Sequence, residues 1–178
     1  MKNLGNKITN IKNQISRKHL SNVALVIALL LNFQGFAQSL SVDCDINFLK
    51  IPAEAPISTP TGVAVNSQNH IFVANSGPMK LMEFDENGGF VRELIPGILV
   101  GPHGTRVDKD DNIWVTDLEL HIVIKIDPSG KIKMVLGQKD NSGLYDKERE
   151  MSLFFKPADV AFGSNDEIYV ADGYGNST

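Results

Sequence analysis

His103 stands between Pro102 and Gly104, and an imidazole in that setting could ligate a metal through either ring nitrogen or simply brace the backbone. The residue types alone leave both readings open. The other three histidines carry less signal: His19 lies in a basic N-terminal stretch, His70 sits among Gln68, Asn69 and Ile71 in a turn, and His121 precedes a strand. Tyr174 follows Asp172 and Gly173 and precedes Gly175, Asn176 and Ser177. A phenol there could exchange a proton with a ligand, and the flanking glycines allow close approach, although they serve a plain turn equally well. Asp108, Asp110, Asn112 and Glu119 fall at positions 1, 3, 5 and 12 of a calcium-loop template, but the sixth position, which needs glycine, is Ile113 in a strand. These four residues read as an ordinary polar hairpin turn.

The elements that position His103 and Tyr174 come from a repeat. Pro60, Thr61, Gly62, Val63 leads to Ile71 through Asn75 and then to Asp85, Glu86, Asn87, Gly88. Pro102, His103, Gly104 leads to Ile113 through Asp117 and then to Asp127, Pro128, Ser129, Gly130; Pro157, Ala158, Asp159, Val160 leads to Ile168 through Asp172. The starts at 60, 102 and 157 are separated by 42 and 55 residues. A period near 40 to 45 residues with several short strands per unit is the signature of propeller blades. His70–Ala74 and Ile113–Thr116 are β-branched and aromatic, as half-buried strands prefer. Ile122, Ile124 and Ile126 alternate onto one face of a further strand. Local turn chemistry closes two hairpins per repeat, which makes each repeat a four-stranded antiparallel blade. The predicted fold is all-β, a partial propeller of about two and a half blades. The longer second spacing places extra residues in Gln138–Phe155, a polar loop of the length that is functional or disordered.

Two other segments precede the blades. Residues 1–37 carry Lys2, Lys7, Lys12, Arg17 and Lys18, then an apolar run from Val23 to Leu31, then Gly35, Phe36, Ala37, with no acidic residue. This is the pattern of a cleavable signal peptide ending at Ala37, and it predicts secretion or a periplasmic location, with a membrane anchor as the outcome if the signal is not cleaved. The apolar run is shorter than a spanning helix needs. Residues 38–59, with Pro52 and Pro56, form a lead-in that packs on a blade without being one, and residues 60–178 form the incomplete propeller.

Without residues 1–37, 12 Lys and Arg face 21 Asp and Glu, so the mature chain is near −9 and a nucleic-acid partner is not expected. The single cysteine, Cys44, has no partner for an internal disulfide.

The run Pro102, His103, Gly104, Asp108, then Asn112 through Asp117, then Leu120, His121 resembles the peptidyl-α-hydroxyglycine α-amidating lyase family. Lys156 through Ala161 and Tyr169 through Ser177 resemble the same family, so the resemblance covers residues 60–178. It implies a six-bladed NHL-type propeller with a zinc in its channel and a structural calcium, acting on a peptide substrate. The implied reaction cleaves a peptidyl-α-hydroxyglycine to a peptide amide and glyoxylate, with zinc as Lewis acid on the substrate hydroxyl and a tyrosine helping to remove its proton. By motif position, His103 matches a zinc histidine and Tyr174 the catalytic tyrosine. Val63 and Thr105 match positions that offer backbone carbonyls to calcium.

Two departures weigh against activity of this chain alone. Ser76 falls where the family carries a catalytic arginine, and serine supplies neither fixed charge nor a bidentate fork. The family draws its remaining metal ligands from later blades, beyond Thr178, and a catalytic zinc normally takes three protein ligands. An open array exposes blade faces and strand edges, so the chain is expected to be marginal or aggregation-prone unless further blades or self-association close it. The alternative reading is a non-catalytic NHL-repeat binding module. A lactonase-like metal hydrolase fits less well, because such enzymes are expected to place several acidic side chains at the channel.

Overall fold

The computed structural model describes residues 41–143 and 153–174, and falls into two units that divide between Cys44 and Asp45. The described part of the first unit, Ser41–Cys44, is irregular and exposed, with Cys44 a free thiol. The proposed signal peptide, half of the Gln138–Phe155 loop and residues 175–178 lie outside the described residues. No described residue is helical.

The described residues of the second unit form ten strands. β1 (Pro60–Val65), β2 (Ile71–Asn75), β3 (Leu81–Phe84) and β4 (Phe90–Glu93) form one antiparallel sheet in chain order. β5 (Pro102–Val107), β6 (Ile113–Asp117), β7 (Ile122–Ile126) and β8 (Ile132–Gly137) form a second with the same order. β9 (Asp159–Phe162) and β10 (Ile168–Ala171) form a two-stranded hairpin. Each four-stranded meander is a propeller-type blade, and the hairpin repeats the first half of one.

Turn residues recur at matched places because each hairpin needs one left-handed position. Asn69, Asp111 and Asp166 take positive φ in the β1–β2, β5–β6 and β9–β10 turns, as short polar residues tolerate best. Asp127 accepts the Ser129 and Lys131 N–H groups at 3.0 Å each, and Gly130 adopts φ 92° to complete the β7–β8 turn. Asp108 does the same work in the β5–β6 turn, accepting the Asp110 and Asn112 N–H groups at 3.0 and 2.9 Å. Asp108, Asp110 and Asn112 therefore form a hairpin turn, and Glu119, the fourth residue of the calcium-loop template, lies in the next turn, after β6.

The blades hold together through apolar seams. Phe72, Ala74, Leu81 and Leu94 of the first blade bury against Ile113, Val115, Ile122, Ile124 and Ile126 of the second. Each Ile or Leu buried there contributes about 1.5–3 kcal/mol, far more than any surface ion pair. Val123 faces the other way and joins Trp114, Phe154 and Val160 in the seam to the β9–β10 hairpin. Central strand β7 is thus apolar on both faces apart from Lys125. On the far side of the first blade, Leu49 and Ile57 of the preceding segment cover Val73, Met82 and Phe84, and Lys50 N–H donates to Gly88 O at 2.7 Å.

A polar clip reinforces the first seam. Glu83, buried, accepts from His70 Nδ1 at 2.8 Å and from Arg92 Nε at 2.6 Å. Arg92 then reaches the next blade, donating to the carbonyls of Pro128 and Ser129 at 2.8 and 3.0 Å.

Candidate functional site

The first strands of successive repeats lie side by side, and glycine makes that approach possible. A Cβ at Gly62 would strike the His103 carbonyl and come within 2.8 Å of Thr105 Oγ1. A Cβ at Gly104 would lie 2.6 Å from Ala158 O and 2.7 Å from Asp159 Cα. Gly62 and Gly104 are needed because the neighbouring backbone occupies the space a side chain would fill.

His103 sits in an irregularity of β5. The pairing with β6 passes from Pro102 opposite Asp117 to Thr105 opposite Val115, so His103 and Gly104 have no partner in the register. Bulges of this kind bend a strand and re-aim a side chain. The His103 ring turns to the next repeat, where its Nδ1 lies 2.8 Å from the Ala158 carbonyl. A carbonyl only accepts, so Nδ1 carries the proton and Nε2 of the neutral ring presents a lone pair.

Tyr174 meets that nitrogen. Its hydroxyl donates to His103 Nε2 at 3.4 Å, and the two rings pack edge to face with centroids 5.3 Å apart. The third repeat therefore supplies both the group that orients His103 and the phenol facing it. Tyr174 is largely exposed, so the pair is open to a ligand from solvent.

The other expected site residues are placed differently. Val63 and Thr105 lie at corresponding places on β1 and β5, Val63 exposed and Thr105 fully buried. Thr105 Oγ1 is a buried polar atom with no hydrogen-bond partner among the described residues. Ser76 is exposed just past β2, its N–H donating to Ser58 O at 2.9 Å and its carbonyl accepting Lys80 Nζ at 3.1 Å. Among the described residues no three His, Cys, Asp or Glu side chains converge to hold a metal. One imidazole and one hydroxyl do not make up the donor set of a catalytic zinc or a calcium.

Electrostatics is concentrated away from this pair. Burial pushes the Asp108 carboxyl up, but hydrogen bonds from the Trp114 indole, Lys125 and Asn112 outweigh it and hold the group far below the usual carboxylate range. Lys125 Nζ lies 3.0 Å from Asp108 and 5.1 Å from the Trp114 ring centroid.

Two residues hydrogen-bonded around His103, Thr116 and Ala158, carried no signal as single residues. Their signal lies in the repeat, where Thr116 stands at the place of Ala74 and Ala171, and Ala158 at the place of Thr61 and His103. Another matched set proves architectural: Asp117, fully buried, accepts the Val100, Gly101, Glu119 and Leu120 N–H groups, as Asn75 accepts those of Ser58 and Gly77.

No protein-family model matches the chain. Over 88 residues, 49% of the chain, it is 42% identical to a probable peptidyl-α-hydroxyglycine α-amidating lyase of Caenorhabditis elegans, covering 24% of that protein. Over 79 residues it is 40% identical to peptidyl-α-hydroxyglycine α-amidating lyase 1 of Drosophila melanogaster, covering 43% of this chain and 14% of that one. Over about half its length the chain is similar to the peptidyl-α-hydroxyglycine α-amidating lyases. It spans about a quarter or less of the length of these two lyases. A crystal structure from Bacteroides thetaiotaomicron, of a protein of unknown function, matches the fold with a TM-score of 0.53 and 22% identity, over 65% of this chain and 30% of that one. Among the expected site residues, His103 and Tyr174 are the two that the fold brings together.

Proposed function

We propose that the chain contributes part of the active site of a secreted peptidyl-α-hydroxyglycine α-amidating lyase, which cleaves its substrate to a peptide amide and glyoxylate. The observation that carries this reading is the contact of Tyr174 with His103 Nε2, made across 71 positions of sequence by two residues with acid–base capacity. The names of the relatives support the reaction class.

The reaction requires little more than directed proton movement. The substrate α-hydroxyl loses its proton as its oxygen becomes the aldehyde oxygen of glyoxylate. The C–N bond breaks, its electron pair goes to nitrogen, and the leaving amide takes up a proton. Tyr174, exposed and hydrogen-bonded to an imidazole, is the group suited to exchange the hydroxyl proton. His103 fixes the phenol, and its Nε2 can take the phenol proton as the substrate hydroxyl proton arrives. Zinc and calcium belong to this proposal as groups whose remaining donors lie outside the described residues, and no step is routed through them.

Ser76, which stands where the resembling family carries an arginine, favours a second reading, a propeller module that binds a peptide or other ligand without cleaving it. Incubation of the protein with zinc, calcium and a hydroxyglycine-extended peptide separates the two. Glyoxylate release above the uncatalysed rate, lost in His103→Ala, supports the lyase. Peptide binding without glyoxylate supports the module.

A further inference from the structure

His103 does not meet the Ala158 carbonyl alone. The Thr116 hydroxyl, fully buried near the end of β6, donates to the same oxygen at 3.1 Å and accepts the Gly104 N–H at 2.8 Å. The irregularity in β5 takes Gly104 out of the strand register, so its buried N–H needs an acceptor from elsewhere. In the first blade the corresponding irregularity skips only Thr61, and Gly62 pairs directly with Ala74, which has no hydroxyl. The wider irregularity, the histidine and the hydroxyl occur together in the second blade alone of these two.

We propose that Thr116 is a positioning residue for His103, holding the imidazole as its Nδ1–H tautomer with the Nε2 lone pair turned to Tyr174. The inference rests on the reading of His103 as a functional residue given above. The Gly104 N–H occupies a lone pair of Thr116 Oγ1 and leaves the hydroxyl proton to point at Ala158. Thr116 fills one lone pair of the Ala158 oxygen, and the other is left for His103 Nδ1–H at 2.8 Å. Bonds linked in this way reinforce one another in a buried setting. Fixing one imidazole nitrogen through a backbone carbonyl sets what the other can do.

A purely structural role would also need the Gly104 contact, so the test must read the ring itself. Nitrogen-15 spectra of the histidine rings, assigned with His103→Gln, are recorded for the full chain, Thr116→Val and Thr116→Ser, alongside amide exchange. The parent chain is expected to show His103 in the Nδ1–H form. Thr116→Val removes the hydroxyl at nearly constant shape; it is expected to shift the ring toward an average of both tautomers and to speed Gly104 exchange by roughly tenfold. Thr116→Ser is expected to restore both. If Thr116→Val does not fold, Thr116→Ala serves in its place, since Ala74 and Ala171 occupy the matching positions. Faster Gly104 exchange with the tautomer unchanged would overturn the proposal and leave Thr116 a blade-to-blade brace. Glyoxylate release fails or succeeds separately: a Thr116-dependent tautomer without glyoxylate sustains the positioning role and counts against the lyase reading alone.

Discussion

The Tyr174 hydroxyl lies 3.4 Å from Nε2 of His103, and the same imidazole is held from its other side by Ala158, 16 residues upstream of that tyrosine. One hairpin of the third repeat thus sets both ends of a ring that belongs to the second. The pair predicts a shared loss of function. Tyr174→Phe keeps the ring packing and removes the acidic hydroxyl, and His103→Ala removes its partner. Each is expected to lower glyoxylate release on the order of 100-fold or more, the usual reach of a single acid–base group. Double substitution is expected to cost little beyond either one, since the two act as a unit. Additive losses would show that they do not.

The Arg92 clip predicts a stability effect without a functional one. Among the described residues, Arg92→Ala leaves buried Glu83 with His70 as its one side-chain partner and frees the Pro128 and Ser129 carbonyls. The expected cost is about 1–3 kcal/mol in urea unfolding. Arg92→Lys should recover only part of it, because one ammonium cannot reach Glu83 and two carbonyls with a planar fork.

Much of this fold is legible in the sequence because blades are local. The repeated Pro-x-Gly starts, the Ile-x-Val strands and the Asp-x-x-Gly turns report hairpins that close within a few residues, and β2, β6, β7 and β10 fall where those signals place them. Asp117 and Asn75 show the limit: their spacing is visible, but their task of gathering backbone N–H groups from the approaching chain depends on tertiary approach. Lys125 departs from the apolar pattern of β7 because its ammonium ends on Asp108 over the Trp114 ring. The site was half legible. His103 and Tyr174 stand out by type and by resemblance, whereas the hold on His103 runs through a backbone carbonyl, which every residue possesses and no sequence advertises. Thr116 was readable only by laying the three repeats against one another.

Glycine at the strand starts predicts intolerance of even one methyl group. At Gly62 the obstacle is the backbone of the next strand, the His103 carbonyl and the Thr105 N–H, so relaxation requires moving a strand rather than a flexible side chain. Gly62→Ala is expected to destabilise by about 1–3 kcal/mol. Because the displaced strand carries His103, the histidine ring signals in an NMR spectrum should shift as well. Gly97→Ala is the control for crowding, since no atom lies within 4 Å of a Cβ there, although its φ of 73° carries its own backbone cost. A ring shift of equal size in Gly97→Ala would remove the crowding argument.

The depressed Asp108 carboxyl predicts how stability depends on pH. A group whose folded pKa lies below its unfolded value, about 3.9 for aspartate, stabilises the fold fully above that value and loses the contribution as pH falls toward the folded pKa. Asp108→Asn removes the charge that Lys125 and the Trp114 indole N–H hold at 3.0 and 2.9 Å, and is expected to cost roughly 1–3 kcal/mol at pH 7. Between pH 7 and pH 5 the gap between parent and variant should stay constant, because Asp108 remains ionised in both folded and unfolded chains. Below pH 4 the unfolded parent chain takes up a proton that the folded form resists, and the gap should narrow. Urea midpoints of the two proteins at pH 7, 5 and 3 measure this directly. A gap that is unchanged at pH 3 would mean that the interactions of Asp108 are those of shape and neutral hydrogen bonding, and that its ionisation contributes nothing to the fold.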